Sequence, residues 1–139
     1  MSRRRFRLLP HTADLMPEVR GADVPALFAS CVLVLFSLLV DRRTVRGREV
    51  RVAEVAGDTA EDRLLALLRA AFLLFAAHTF LVRTAHVTIK GKQVTLTVTG
   101  ETLDPARHRI VREIKAVTAH AIAVGRSRGG CFARFVLDV

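Results

Sequence analysis

Val24-Pro25-Ala26-Leu27-Phe28-Ala29-Ser30-Cys31-Val32-Leu33-Val34-Leu35-Phe36-Ser37-Leu38-Leu39-Val40 runs for seventeen residues without a charge, and whatever fold the chain adopts has to hide it. A helix that spans a bilayer takes about 20 apolar residues. A helix lying on a membrane surface needs a charged face, which this stretch lacks. The reading left is a core helix. Leu27, Phe28, Cys31, Leu35 and Leu38 fall on one face at helical spacing, and Val32, Phe36 and Leu39 widen the stripe around most of the circumference. Such a helix must be covered on more than one side. Asp23 is placed to cap it and Pro25 sits in its first turn, where a missing N–H costs little. The expected helix runs from Val24 to Leu39.

Working outward, Phe6 to Leu9 and Leu15 to Arg20 read as strands separated by the polar turn His11-Thr12-Ala13-Asp14, with Gly21 closing the segment. Pro17 cannot donate to a ladder, which predicts an edge position for the second strand. Beyond the helix, Arg42 to Arg48 is loop-like, and Glu49 to Val55 alternates with Val50 and Val52 on one face, a strand pattern. Thr59, followed three residues later by Asp62, resembles a capping box and opens a second helix from Ala60 to His78. Its Leu64, Leu65, Leu68, Phe72 and Phe75 make a core-type face. Phe80 to Ile89 and Val94 to Thr99 flank Lys90-Gly91-Lys92-Gln93 as a hairpin, with Thr95, Thr97 and Thr99 on the wetter side. Ile114 to Val124 and Phe132 to Leu137, joined across Gly125 to Gly130, form a last hairpin. This order predicts an α+β fold, a single domain over residues 1–139 with two helices packed on antiparallel β-sheet.

A length of 139 residues supports one core, and 51% hydrophobic residues exclude a disordered chain. Lys plus Arg number 22 against 13 Asp plus Glu, a net charge of +9, which favours acidic partners such as RNA. Nineteen of those cations are arginine, so biased codon usage and a solvated basic surface remain an alternative. Cys31 and Cys131 have no metal-ligand spacing and read as buried thiols. The basic start, Arg3-Arg4-Arg5-Phe6-Arg7, leads into Leu8-Leu9-Pro10 and not into a secretory apolar region, so a cytoplasmic protein with no membrane attachment is expected.

No phosphate-cradling glycine loop, nucleophile elbow or paired-histidine zinc helix occurs. His11 and Asp14 lie three apart in a turn, where a local hydrogen bond explains the spacing. Asp138 ends an apolar strand and reads alone as a solvated acid. If the first and last strands lie side by side, the two acids and nearby carbonyls make an oxygen site for a hard cation such as Ca²⁺ or Mg²⁺. Spacing cannot decide between these. Arg107-His108-Arg109 follows an Asp-Pro turn and reads as a surface loop able to meet phosphate or an acidic protein. Lys115 and His120 lie five apart, on opposite sides of a regular strand, so a joint acid-base role requires a bulge.

Pro10-His11-Thr12-Ala13-Asp14, Gly100-Glu101-x-Leu103-Asp104-Pro105-x-Arg107-His108, Glu113-Ile114-Lys115-Ala116-Val117-Thr118-x-His120 and Leu137-Asp138-Val139 occur in order along nearly the whole chain. This set resembles the archease family. The resemblance implies a small α+β protein that is not itself an enzyme and activates an RtcB-type, GTP-dependent RNA ligase in tRNA splicing and repair. It further implies that Asp14 and Asp138 bind a divalent cation, Ca²⁺, Mg²⁺ or Mn²⁺, with the Val139 carbonyl or terminal carboxylate as a further ligand. Lys115 then matches a lysine for contact with the ligase or its nucleotide, and His11 and His120 are further candidates for partner contact. Two other readings compete. One is a basic module that binds RNA by itself, with strongly salt-dependent affinity. The other, a small hydrolase using Asp14, His11 or His120, lacks an activated nucleophile and an oxyanion site.

Overall fold

The computed structural model describes residues 6–9 and 14–139; Pro10 to Ala13, and with them His11, lie outside the described residues. The elements are β1 (Phe6–Leu9), β2 (Asp14–Gly21), α1 (Val24–Leu39), a 3-10 turn (Arg42–Thr44), β3 (Glu49–Ala56), α2 (Ala60–His78), β4 (Phe80–Lys90), β5 (Gln93–Thr102), β6 (Ala116–Ser127) and β7 (Gly130–Asp138). They form two antiparallel sheets, one in the order β1-β2-β7-β6 and the other β3-β5-β4. Both helices touch strands of both sheets and fill the space between them. No helix among the described residues is long and apolar enough to cross a membrane.

The sandwich follows from α1. Its Leu27, Phe28, Cys31, Val32, Leu35 and Phe36 are all fully buried, and an apolar surface that wide needs a layer above and a layer below. The Asp23 carboxylate accepts the Ala26 N–H at 2.8 Å, which fixes the helix start. Helix α2 starts in the same way, with the Thr59 hydroxyl accepting the Asp62 N–H at 3.0 Å. Its fully buried positions are Leu64, Leu67, Leu68 and Ala71, while Leu65, Phe72 and Phe75 are only partly covered. The α2 contact stripe is thus rotated toward Leu67 and Ala71 relative to the face read from the sequence. On β3 it is Val50 and Val52 that face solvent, at 60% and 61% exposure, while Arg51, Ala53 and Val55 turn inward. Arg51 does so with its guanidinium 4.7 Å from the Phe80 ring centroid, a cation–π contact that lets a charged residue occupy the inner side.

Strand β2 is an inner strand, flanked by β1 and β7, which corrects the edge position expected from Pro17. The ladder with β7 pairs Leu15 with Leu137 and resumes at Glu18 with Arg134, skipping Met16 and Pro17. The proline is accommodated as a gap in one ladder rather than by moving the strand to the edge. The final hairpin turns tightly at Arg128-Gly129, with Gly129 at φ 76°, so its strands extend to Ser127 and from Gly130. At Gly100 the chain passes against the Leu81 carbonyl, leaving no room for a side chain.

The loop after β5 keeps Pro105, Ala106 and Arg109 exposed, as expected of a surface loop, but His108 is buried and Arg107 half-buried against Glu101, contrary to the solvent-facing Arg-His-Arg cluster expected. Glu101 is 5% exposed, and its carboxylate accepts Arg107 Nη2 at 2.6 Å, the Arg46 N–H at 2.7 Å and His108 Nε2 at 3.0 Å. The Asp104 N–H donates to His108 Nδ1 at 2.8 Å, so the imidazole carries its proton on Nε2 and directs it to Glu101. Burial alone would raise the Glu101 pKa. The Arg107, Arg46 and His108 donors outweigh it and hold the group at about 2, below its ordinary 4.5. One carboxylate thereby ties the loop after β5 to the segment before β3. Of the Arg-His-Arg run, Arg109 stays exposed.

Strand β6 carries a bulge. Its register against β7 shifts between Thr118 and Ala123, and Ala121 within it has φ 55°, a left-handed conformation that costs a Cβ-bearing residue about 1–2 kcal/mol. Helix α2 holds both flanks, since Arg69 Nε donates to the Val117 carbonyl at 3.2 Å and Glu61 accepts the Val124 N–H at 3.1 Å.

Two outcomes are expected. Because the Glu101 pKa is depressed, its stabilising contribution is complete above pH 4.5 and lost as pH falls toward 2. Glu101→Gln should therefore cost about 2–4 kcal/mol at neutral pH and flatten the acid limb of stability in that window, as read by urea unfolding across pH. Ala121→Gly should raise Tm by about 2–4 °C by relieving backbone strain in excess of its entropic cost, measured by calorimetry.

Candidate metal centre

The β2–β7 ladder sets Asp14 directly opposite Asp138, and β6 continues the row with Ala116 opposite Asp138. Directly opposed residues on antiparallel strands point to the same side of the sheet, with Cβ atoms about 5 Å apart. The inner side is taken by Leu15, Val19, Ala133, Phe135 and Leu137, which pack into the core cluster, so the two acids belong to the outer side. It is the second strand, not the first, that meets the last. Both acids are half-buried. Two carboxylates facing each other at this spacing repel, and sheets avoid like charges in direct opposition unless something offsets them.

The remaining candidates gather unevenly around this pair. The Lys115 N–H donates to the Asp138 carbonyl at 2.7 Å, which docks the residue before β6 beside the acid while its side chain stays exposed. Val139 follows Asp138 directly and is 36% exposed. His120 sits in the β6 bulge, exposed, its N–H donating to the Thr118 hydroxyl at 3.3 Å. The bulge breaks the two-residue alternation that would have set Lys115 and His120 on opposite sides. Position His11 is outside the described residues. Among the described residues there is no group of three or more His, Cys, Asp or Glu side chains able to hold a metal ion.

A second polar cluster lies farther along the same outer side and was not legible as a site in the sequence. Glu18, 8% exposed, is met by Arg7 Nη2 at 2.9 Å, Arg134 Nε at 3.5 Å and Arg20 Nη2 at 3.7 Å. Its signal was the alternation Glu18-x-Arg20 on β2 and Phe132-x-Arg134 on β7, which puts polar and aromatic residues on the side away from the core. Both cysteines are free and buried, and burial pushes the Cys31 thiol well up.

The archease protein family model matches residues 6–139 of this chain. The chain is 27% identical to a protein archease of Sulfolobus acidocaldarius, over 97% of this chain and 99% of that one. It is 30% identical to a protein archease of Thermococcus gammatolerans, over 98% and 99%. The solution structure of Methanobacterium thermoautotrophicum protein 1598 superposes with a TM-score of 0.80 at 27% identity, covering 97% of this chain and 99% of that one. Sequence and architecture thus agree from end to end: the chain belongs to the archease family.

Proposed function

We propose that this protein is an accessory factor that activates an RtcB-type, GTP-dependent RNA ligase, promoting its guanylylation and repeated turnover, and that it does so through a divalent cation held by Asp14 and Asp138 with a main-chain oxygen of Val139. The observation that carries this reading is the direct cross-strand opposition of Asp14 and Asp138 in a member of this family. Hard carboxylate and carbonyl oxygens suit Ca²⁺, Mg²⁺ or Mn²⁺. Two carboxylates and one carbonyl fill only part of the six to eight positions that Ca²⁺ takes. The vacant ones suit the oxygens of a phosphate on a partner. When bound, the cation supplies concentrated positive charge beside such a phosphate.

The side chains of this protein set the geometry. The β2–β7 ladder holds the two carboxylates in register, and the Lys115 N–H to Asp138 carbonyl bond ties β6 to the same point. The exposed Lys115 ammonium is then available to the ligase or its nucleotide, with His120 on the bulge, and His11, as further contacts.

Titration calorimetry with Mn²⁺ and with Ca²⁺ should show binding to the wild type and none to Asp138→Asn, and saturating Ca²⁺ at about 100 times its dissociation constant should stabilise the wild type alone by about 2.7 kcal/mol. In multiple-turnover ligation with the purified ligase, Asp14→Asn and Asp138→Asn should abolish stimulation. Lys115→Ala should reduce stimulation while leaving cation binding intact. Equal stimulation by the wild type and Asp138→Asn would remove the cation from the mechanism.

A further inference from the structure

The outer side of the four-stranded sheet changes sign along its length. The acids Asp14 and Asp138 stand at one end. Toward the other end, Arg7, Arg20 and Arg134 converge on Glu18, and one carboxylate cannot neutralise three guanidinium groups. Arg128, at the tip of the β6–β7 hairpin, adds a fourth cation. Arg7, Arg20 and Arg128 line an open cavity of about 460 Å³ together with Phe6, Glu18 and Gly21. The Nε of Arg134 is buried without a hydrogen-bond acceptor among the described residues, with a Glu18 oxygen no nearer than 3.5 Å.

An aromatic ring borders this cluster. Phe132 is the cross-strand partner of Arg20, so both project on the same side. The ring leans over Gly125, where an added Cβ would come within 2.7 Å of it, and the Arg134 guanidinium stands 5.2 Å from its centroid. The glycine gives the ring its seat, and the arginine holds it.

We propose that this end of the sheet binds a single-stranded nucleic acid, with backbone phosphates on Arg7, Arg20 and Arg128 and a base against the Phe132–Arg134 platform. Arginine forks match phosphate oxygens two at a time, which lysines do not. A purely acidic peptide would use the charges and leave the platform idle, whereas single strands combine a cationic groove with aromatic stacking. Asp138 lies four residues along β7 from Arg134, about 13 Å at strand rise, so a strand laid along β7 leads toward the acid pair. The inference does not rest on the ligase reading, and its test needs no ligase.

Fluorescence anisotropy with a labelled oligouridylate of about 12 nucleotides, from about 50 to about 200 mM salt, tests it. Wild type should bind with an affinity that falls with salt. The Arg20→Ala/Arg128→Ala double variant should lose at least about tenfold and show a salt slope shallower by about 1.4, the loss of two phosphate contacts on a single strand. Phe132→Leu should lose about tenfold with the slope unchanged. Lys90→Ala/Lys92→Ala, on the β4–β5 hairpin, should bind like wild type. Circular dichroism checks that each variant is folded, and the arginine variant carries the test if Phe132→Leu is not. The proposal fails if no binding is seen at low salt, or if the lysine variant loses as much as the arginine variant, which would mean diffuse attraction. It also fails if polyglutamate, and not the oligomer, binds in dependence on Arg20 and Arg128, which would assign the face to an acidic protein.

Discussion

Helix α1 buries more than half of its circumference, from Leu27 and Cys31 round to Val32 and Phe36, and leaves only the side of Ala26, Ser30, Leu33 and Ser37 partly exposed. Covering it from two directions requires two sheets, and the sheet that contributes β2 and β7 has to draw those strands from residues 14–21 and 130–138. The inner residues of both strands, Val19, Ala133, Phe135 and Leu137, are fully buried, so hydrophobic burial fixes which side of each strand faces the helices. A shift of one residue in the register would turn that whole set outward. The opposition of Asp14 to Asp138 is therefore locked by the core, and no contact between the acids themselves is needed to hold them in place.

Much of this architecture was legible because it is local. The charge-free run, Asp23 and Pro25 delimit α1, and Thr59 with its first-turn acids delimits the start of α2. Both hairpins are announced by glycine turns between β-rich runs. The errors arise where tertiary context outweighs a local rule. Pro17 forbids a donor at one position, and a gap in one ladder satisfies that as well as an edge does. On β3 the alternation correctly puts Val50 and Val52 on one face, but only the tertiary packing decides that the inward face is that of Arg51, Ala53 and Val55, with Arg51 over the Phe80 ring. The Arg107-His108 pair looked like a solvent cluster, and its partner, Glu101, lies six and seven residues earlier with no spacing rule to link them.

The candidate centre was legible in its residues and not in its geometry. Asp14 and Asp138 could be named from family-like motifs, but their adjacency is a property of the β2–β7 ladder. The bulge that frees His120 from strict alternation has no turn residue in its sequence; it rests on an alanine in a glycine-like conformation and on two α2 side chains. The Glu18 cluster escaped notice because its members, at positions 7, 18, 20, 128 and 134, are scattered along the chain and assembled by three strands and a turn.

The skipped pairs at Met16 and Pro17 bear on how the chain is made. Strand β2 leaves the ribosome more than a hundred residues ahead of β7, and at about 5–20 residues per second its second edge stands open for on the order of 10 s. β1 covers the other edge at once. A row of donors waiting that long invites a neighbouring nascent chain to pair with it. The proline removes one donor from that row, so the same residue that interrupts the finished ladder acts as a gatekeeper against misassembly while the ladder is incomplete.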